Sequence, residues 1–407
     1  MRLLFVSTAH SYRNNDFIAA AKTQSYDYLL LCEGSIGHLD EQHIVADFAH
    51  VELLLARIAQ LHDQQLFGAV MALDDSGAHI AAAIAEALHI PHNRFEAIEA
   101  ARNKGRMRTV LFDAGVPVPW FHRFVGATPV ADIVAQIEFP CVIKPLLLNG
   151  SRGVIRTNTP EEFLVARTEL LAILDNIEGS DGEHAFLVEA YIPGIEVALE
   201  AILDNGQLYP LALFDKPDPL TGPLFEETIY VTPSRHSAAI QSAIIATARD
   251  AAAAIGLVNG PVHAELRFND AGVWVVEVAG RSIGGLCSRT LRFGVRDTLE
   301  ELILQQAMGV FREPSLQTNA SGVMMIPIPH AGILQRVEGI ADACLVPGIE
   351  SVEITSPLHQ AIQTLPAGES YLGFIFARGD TPAEVEDALR SAHSKLSITI
   401  MPHFLLT

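Results

Sequence analysis

With 407 residues the chain is long for one hydrophobic core and reads as two or three domains. Hydrophobic residues make up 49% and charged residues 18%, an ordinary globular composition. Lys and Arg total 27 against 48 Asp and Glu, a formal net charge of -21, and so acidic a surface argues against nucleic acid and membrane as partners. Any anionic substrate must then be met by a local cluster of cations or by metal. Cys32, Cys141, Cys287 and Cys344 stand far apart with no C-x-x-C pair, which indicates neither a zinc site nor a disulfide framework. The apolar run at the N-terminus is too short for a secretory signal, and no window of about 18 uncharged apolar residues occurs. A reducing cytoplasm is the expected location.

Along roughly the first 95 residues, apolar runs alternate with helical patterns. "LLFVS", "DYLLLCE" and "FGAVMALDD" read as buried strands, and "SGAHIAAAIAEALHI" has helical spacing, so a parallel α/β sheet is expected. Neither G-x-G-x-x-G nor G-x-x-x-x-G-K-[ST] occurs. "EAIEAARNKGRMRTVLFDAGVPVP" reads as one helix ending at Gly115. The strand "FPCVIKP" then leads into the glycine loop "LLLNGSRGVIR", which returns as a strand. Thr159-Pro160-Glu161-Glu162 is a capping box opening a helix to about Leu174. "AFLVEAYIPGIEVALEAILDNGQLYPLALF" alternates strands and turns, and an alanine-rich helix follows over roughly Ser237 to Ile255. "HAELRFNDAGVWVVEVAGRSIGG" reads as a hairpin, "FREPSLQTNASG" as a boundary loop, "SYLGFIFARG" as a strand, and Thr381-Pro382-Ala383-Glu384 as the start of a last helix.

Each hairpin strand carries an acid, Glu265 and Glu277. If Asp270-Ala271-Gly272 is a three-residue loop with Gly272 left-handed, the two acids face each other with Cβ atoms about 4.5–5.5 Å apart. Facing like charges need a cation between them, and a hard divalent ion such as Mg²⁺ fits. A four-residue loop would instead send them to opposite faces. Arg281, four residues on, can hold a carboxylate or phosphate bidentately or serve in a structural ion pair. A rival lies in the same stretch: Gly280-Arg281-Ser282-Ile283-Gly284 matches the hydrolase elbow G-x-S-x-G, with Asp342 and His359 or His393 downstream in the right order. An elbow sits on a buried parallel strand, however, and leaves Glu265 and Glu277 unexplained.

Other signals precede the hairpin. Lys144 ends a strand just before Asn149-Gly150-Ser151-Arg152-Gly153, where glycine-freed N–H groups, Ser151 and Arg152 can meet a phosphate. Lys104 lies in "RNKGRMR", the one strongly basic patch. Glu189 ends an apolar strand, "FLVEAYIPG", whose backbone edge can present polar groups to a purine.

This order resembles the ATP-grasp superfamily over roughly residues 96–310, and the stretch from "GVMMIPIPHAGIL" to "YLGFIFARG" is similar to the closing domain of bacterial L-amino acid ligases. The resemblance implies an α/β and α+β protein with an ATP-grasp fold. Its domains would be an N-terminal parallel α/β pre-grasp domain over 1–95, an ATP-grasp domain over 96–315 with a lid at about 120–190, and a small C-terminal α+β domain over 316–407. Carried over residue by residue, it makes Lys104 and Lys144 phosphate ligands and Ser151, Arg152, Gly153 and Val154 the lid loop. Glu189, Ala190 and Ile192 would line the adenine pocket, and Glu196 would meet the ribose. Glu265 and Glu277 become ligands of Mg²⁺, for which Mn²⁺ can substitute. Arg281 and Lys144 take catalytic roles, and Glu226, Glu227, Ser282 and Gly284 fall on the substrate side, the two glutamates as holders of an ammonium group. Many superfamily members have Asn where this chain has Ala279, but L-amino acid ligases tend to have a small residue there. The implied activity is an ATP-dependent ligase joining a small-molecule carboxylate to an amine through an acyl phosphate. A carboxylase that activates bicarbonate, or a nucleotide-binding regulatory module, are alternatives. Relatives of this size are commonly dimers, which makes a homodimer an expectation of the same kind.

Overall fold

The structure is a computed structural model that describes residues 1–8, 11–34, 42–177, 182–294, 297–315, 319–368 and 371–402. Strands Arg2–Thr8, Asp27–Glu33, His43–Ala46 and Phe67–Ala72 form one parallel sheet with the first strand between the second and the fourth. Alternate residues of these strands face opposite ways. Leu3, Phe5, Tyr28 and Leu30 pack on the helices Asn14–Thr23 and Leu299–Ala307, whereas Leu4, Val6, Leu29 and Leu31 pack on Val51–Gln64 and Ala78–Ala87. Coverage on both faces is why these strands read as unbroken apolar runs.

The expected single helix before Gly115 is two, Phe95–Arg102 and Lys104–Asp113. Asn103 between them is extended, with ψ 106°, and its side chain accepts the Arg106 N–H. A short polar side chain that competes for backbone donors makes a better cap than a helix interior residue, and it breaks the helix here. The break puts Lys104 in the first turn of a new helix with Arg108 one turn on. Gly115, at φ +74°, ends that helix.

A four-stranded antiparallel sheet follows, ordered Phe121–Phe124, Phe186–Ala190, Cys141–Pro145, Ile155–Thr157. The helix Pro160–Asp175 covers it, with Thr159 accepting the Glu162 N–H at 3.2 Å as its T-P-E-E signal predicts. The largest sheet has eight strands in the order Gly272–Ala279, Gly260–Asn269, Ile195–Asp204, Gln207–Asp215, Ile229–Thr232, Ala320–Ile326, Gly373–Gly379, Ile349–Ile354. Its first strands bury Leu199, Val262, Ala264 and Leu266 against the helix Ala238–Ile255, and its last ones pack on the helix Pro382–His393. One sheet thus runs through the stretches on both sides of the 311–320 loop, of which 316–318 lie outside the described residues. All four cysteines are free thiols, three of them buried. No helix among the described residues is long and apolar enough to cross a membrane.

The hairpin reaches its expected pairing by a different route. Its loop has two residues, Asp270 and Ala271, and Asn269 faces Gly272. Alone, that register would set Glu265 opposite Val276. A bulge at Val276 shifts the ladder by one, so that Glu265 faces Glu277. The bulge residue's carbonyl accepts from Arg108 Nη2 at 2.7 Å, which gives the irregularity a partner outside the ladder.

Candidate active site

A cleft of about 470 Å³ opens between the four-stranded and eight-stranded sheets. Lys104, Lys144, Glu189, Glu265 and Glu277 reach it from five different elements, and Arg281 from the loop after the last of them. The glycine loop contributes Ser151 and Val154, and the segment from Ala190 to Glu196 contributes Ala190, Ile192 and Glu196.

The two hairpin acids share the cleft but are held by different cations. Glu277 accepts from Lys104 Nζ at 3.2 Å, and Lys104 also donates to the Leu148 carbonyl at 2.8 Å. Glu265 lies 3.4 Å from Lys216 Nζ, which also donates to Glu196 at 2.7 Å and to Glu227. Burial opposes a charge on Lys216, but the three carboxylates outweigh it and raise its pKa well above normal. Oxygens of Glu196, Glu227 and Glu265 lie within 4.8 Å of one another, a carboxylate group that includes two residues not expected as ligands. Donors that are all carboxylate oxygens suit a hard divalent cation such as Mg²⁺ and not a thiophilic one. Behind Glu265, His263 Nε2 lies 3.6 Å away, while its Nδ1 bonds Glu200 at 3.0 Å. Burial works against protonation of His263, yet Glu200 and Glu265 raise its pKa to about 9.

Glu189 carries a second charge cluster. Arg108 donates to its two oxygens at 2.8 and 3.2 Å, and Lys144 Nζ approaches to 2.5 Å. All three side chains are buried, and burial lowers the Lys144 pKa to about 8 against the pull of Glu189. The Glu189 carboxylate is therefore a counter-ion at the edge of the cleft. Glu196, expected at a ribose, likewise gives its oxygens to Lys216 and Arg267, both at 2.7 Å. The Ala190 N–H is used by the Trp120 carbonyl at 3.0 Å, and the Ile192 carbonyl by Arg267 at 2.8 Å. Val142, Val154, Tyr191 and Phe225 form an apolar slot in the wall of the cleft here.

Several expected residues stand elsewhere. Arg152 and Gly153 do not line the cleft. The Gly153 N–H donates to the Pro366 carbonyl at 2.9 Å, so the loop rests on the C-terminal segment. A Cβ on Gly153, at φ +71°, would meet Leu170 at 2.9 Å, which is why glycine is needed there. Glu227 faces the cleft and accepts from the Tyr230 hydroxyl at 2.7 Å, and burial first of all raises its pKa to about 7. Its neighbour Glu226 lines a separate crevice beside Gly368 and Tyr371. Ser282 is no elbow nucleophile. The strand before it, Gly272–Ala279, is the antiparallel edge of the large sheet, and the buried Ser282 hydroxyl accepts from Arg13 at 3.0 Å. Ser282→Ala should keep ATP-dependent turnover within a fewfold and cost about 1 kcal/mol in stability. Labelling of the wild type by an active-site serine probe, lost in Ser282→Ala, would reverse that assignment. Gly284 does line the cleft, beside Arg281, which donates to Asp75 at 2.7 Å.

Sequence reading missed Lys216, Arg267, Arg108, Arg13 and Asp75. Arg108 had a signal, the i,i+4 spacing from Lys104 in the basic patch. Arg267 sits on ordinary strand sequence and Lys216 just past the strand Gln207–Asp215, and only sheet pairing brings them to Glu196.

Residues 137–290 match the ATP-grasp domain, and residues 324–401 match the L-amino acid ligase C-terminal domain 2. An alanine–anticapsin ligase of Bacillus subtilis is 27% identical over 188 residues, 42% of this chain and 39% of that enzyme. The crystal structure of an L-amino acid ligase from Bacillus licheniformis superposes with TM-score 0.82 at 23% identity, covering 98% of this chain and 99% of that one. A carboxyaminoimidazole ribonucleotide synthase from Aspergillus clavatus complexed with ATP gives TM-score 0.72 at 16% identity, covering 96% and 98%.

Proposed function

We propose that this chain, whose residues 137–290 match an ATP-grasp domain and whose residues 324–401 match an L-amino acid ligase C-terminal domain, joins two amino-acid-like substrates through an acyl phosphate. The observation that carries this reading is the convergence of Glu265, Glu277, Lys104, Lys144 and Arg281 on one cleft in an otherwise acidic protein. Adenine fits the apolar slot of Val142, Val154, Tyr191 and Phe225. The phosphates then run toward Lys144 and Lys104. Glu265 and Glu277 would hold Mg²⁺, which when bound supplies charge neutralisation for the terminal phosphates.

The first step is in-line attack of the acid's carboxylate oxygen on the γ-phosphorus, breaking the bond to the bridging oxygen, with ADP leaving. The protein's part is mostly positioning and charge. Lys104 and Lys144 orient the phosphates, and Arg281, held by Asp75, faces the carboxylate. In the second step an amine lone pair attacks the acyl carbon, and phosphate leaves with the C–O electron pair and takes up the nitrogen's proton. Glu227, beside Lys216 and Tyr230, is placed to hold the acid's ammonium group. The loop at Ser151–Val154 excludes water that would hydrolyse the acyl phosphate.

The experiment is a screen of amino acid pairs for ADP and phosphate release with mass detection of the product. Release only when acid and amine are both present supports the reading. Turnover that needs bicarbonate, or none with any pair, ends it. A pH series adds a second check. Lys144 is charged below its lowered pKa, so kcat/KM for ATP, which reports the free enzyme, should hold up to about pH 8 and fall above it. An ordinary exposed lysine would keep the profile flat past pH 9.

A further inference from the structure

The turn between the strand Phe67–Ala72 and the helix Ala78–Ala87 carries Asp75 to the edge of the cleft. Its neighbour Asp74 locks that turn. Asp74 Oδ1 accepts the Gly77 N–H at 3.0 Å, and Oδ2 accepts the Thr8 N–H and the Ser7 hydroxyl, both at 3.0 Å. A Cβ on Gly77 would meet the Val6 carbonyl oxygen at 2.8 Å, so the turn lies tight on the first strand. Asp75 thus projects from a firmly held part of the fold.

One oxygen of Asp75 joins two parts of the site. Its Oδ2 accepts from Arg281 Nε at 2.7 Å and from Asn149 Nδ2 at 2.8 Å. Asn149 is exposed and opens the glycine loop, one residue after Leu148, whose carbonyl holds Lys104. Adjacent loop residues therefore reach the partners of both Glu277 and Arg281. Burial opposes a charge on Asp75, but Arg281 and, more weakly, Arg13 and Arg102 keep its carboxyl below the ordinary range. Arg281 Nη1 donates to the Ser282 carbonyl at 3.0 Å, while Arg281 Nη2 and Asp75 Oδ1 carry no hydrogen bond among the described residues. The grip is single. A guanidinium and a carboxylate left to themselves pair by two parallel bonds, here Nε and Nη2 on Oδ2 and Oδ1. Asn149 takes Oδ2 from the other side, fixes the rotation of the carboxylate and leaves Nη2 free.

We propose that Asp75 is a positioning residue that makes the aim of Arg281 depend on closure of the glycine loop, read through Asn149. With the loop down, Nη2 stays available to the substrate carboxylate. With the loop lifted, the Asn149 bond is lost, Asp75 takes Nε and Nη2 together, and Arg281 is withdrawn from the reaction. Carboxylate activation is thereby confined to the state in which water is shut out. The proposal rests on the ligase reading above and adds to it a dependence of the first step on the loop.

Asn149→Ala and Asp75→Asn test it with hydroxylamine as the amine. The acid is the proteinogenic amino acid that gives the wild type its strongest hydroxamate signal. Hydroxylamine attacks the acyl phosphate directly and so reports its formation. Each variant should lower kcat about tenfold, and the double variant about tenfold rather than a hundredfold, because both break one chain of contacts. Affinity for MgADP should stay within twofold, and hydroxamate formed per ADP released should not change. Asn149 is exposed, so its variant keeps the fold and decides the matter should Asp75→Asn unfold. A loop that only latches the site would instead weaken MgADP binding or release ADP without hydroxamate, and either result overturns the relay. So does an unchanged kcat in Asn149→Ala, or a multiplied loss in the double variant. A raised KM for the acid at unchanged kcat in Asp75→Asn would make Asp75 a substrate contact and overturn it too. A wild type that releases no ADP with any acid ends the ligase reading itself, and the relay with it.

Discussion

Glu277→Gln should lower ATP-dependent turnover on the order of 10³-fold while leaving the fold intact. The substitution keeps the shape and one carbonyl oxygen but removes the charge. That charge now neutralises Lys104 at 3.2 Å, and with Glu265, its partner across the bulged ladder, it is the pair proposed above to hold a divalent ion near the phosphates. The side chain is a quarter exposed at the cleft surface, so its loss should move the melting temperature little. ADP release at saturating ATP, with thermal unfolding of the same preparation, measures both. A variant that turns over within tenfold of wild type would remove Glu277 from the reaction, and the proposed metal site with it.

The second large effect is on stability. Glu189→Ala should destabilise the protein by ~3–5 kcal/mol, because it strands two buried cations. Arg108 and Lys144 are 1% and 5% exposed at the side chain, and both depend on this one carboxylate. Without it they repel each other, and Lys144 should lose its proton at still lower pH. Glu189→Gln should cost less, since its amide oxygen still accepts from Arg108. The urea midpoint of each variant reads the difference. Equal midpoints for Glu189→Ala and wild type would mean that solvent reaches the cluster and screens it.

The hairpin shows how far local sequence reasoning reaches. Alternation and the Asp-Ala-Gly turn marked two strands, and the pairing of Glu265 with Glu277 is what the structure contains. The route differs, because a two-residue loop alone gives the wrong parity and the Val276 bulge corrects it. A bulge is held by partners distant in sequence, here the Arg108 guanidinium, and no local pattern encodes it. The helix break at Asn103 is the opposite case, since the capping side chain and its target lie three residues apart and the signal was present in the sequence.

What the sequence determined by itself was the parallel N-terminal sheet, the main helices with their caps, and the succession of lysine, glycine loop and paired acids. Each follows from periodicity, turn chemistry or residue type over a dozen positions or fewer. Which cation neutralises which acid was decided only by the tertiary structure. Lys216 meets Glu196, Glu227 and Glu265, Lys104 meets Glu277, and Arg13 lies against Ser282, 269 residues away in the chain. Ion pairing depends on distance and burial in space, and strands adjacent in a sheet need not be adjacent in the chain. The electrostatics of the cleft therefore came into view only once the sheets were assembled.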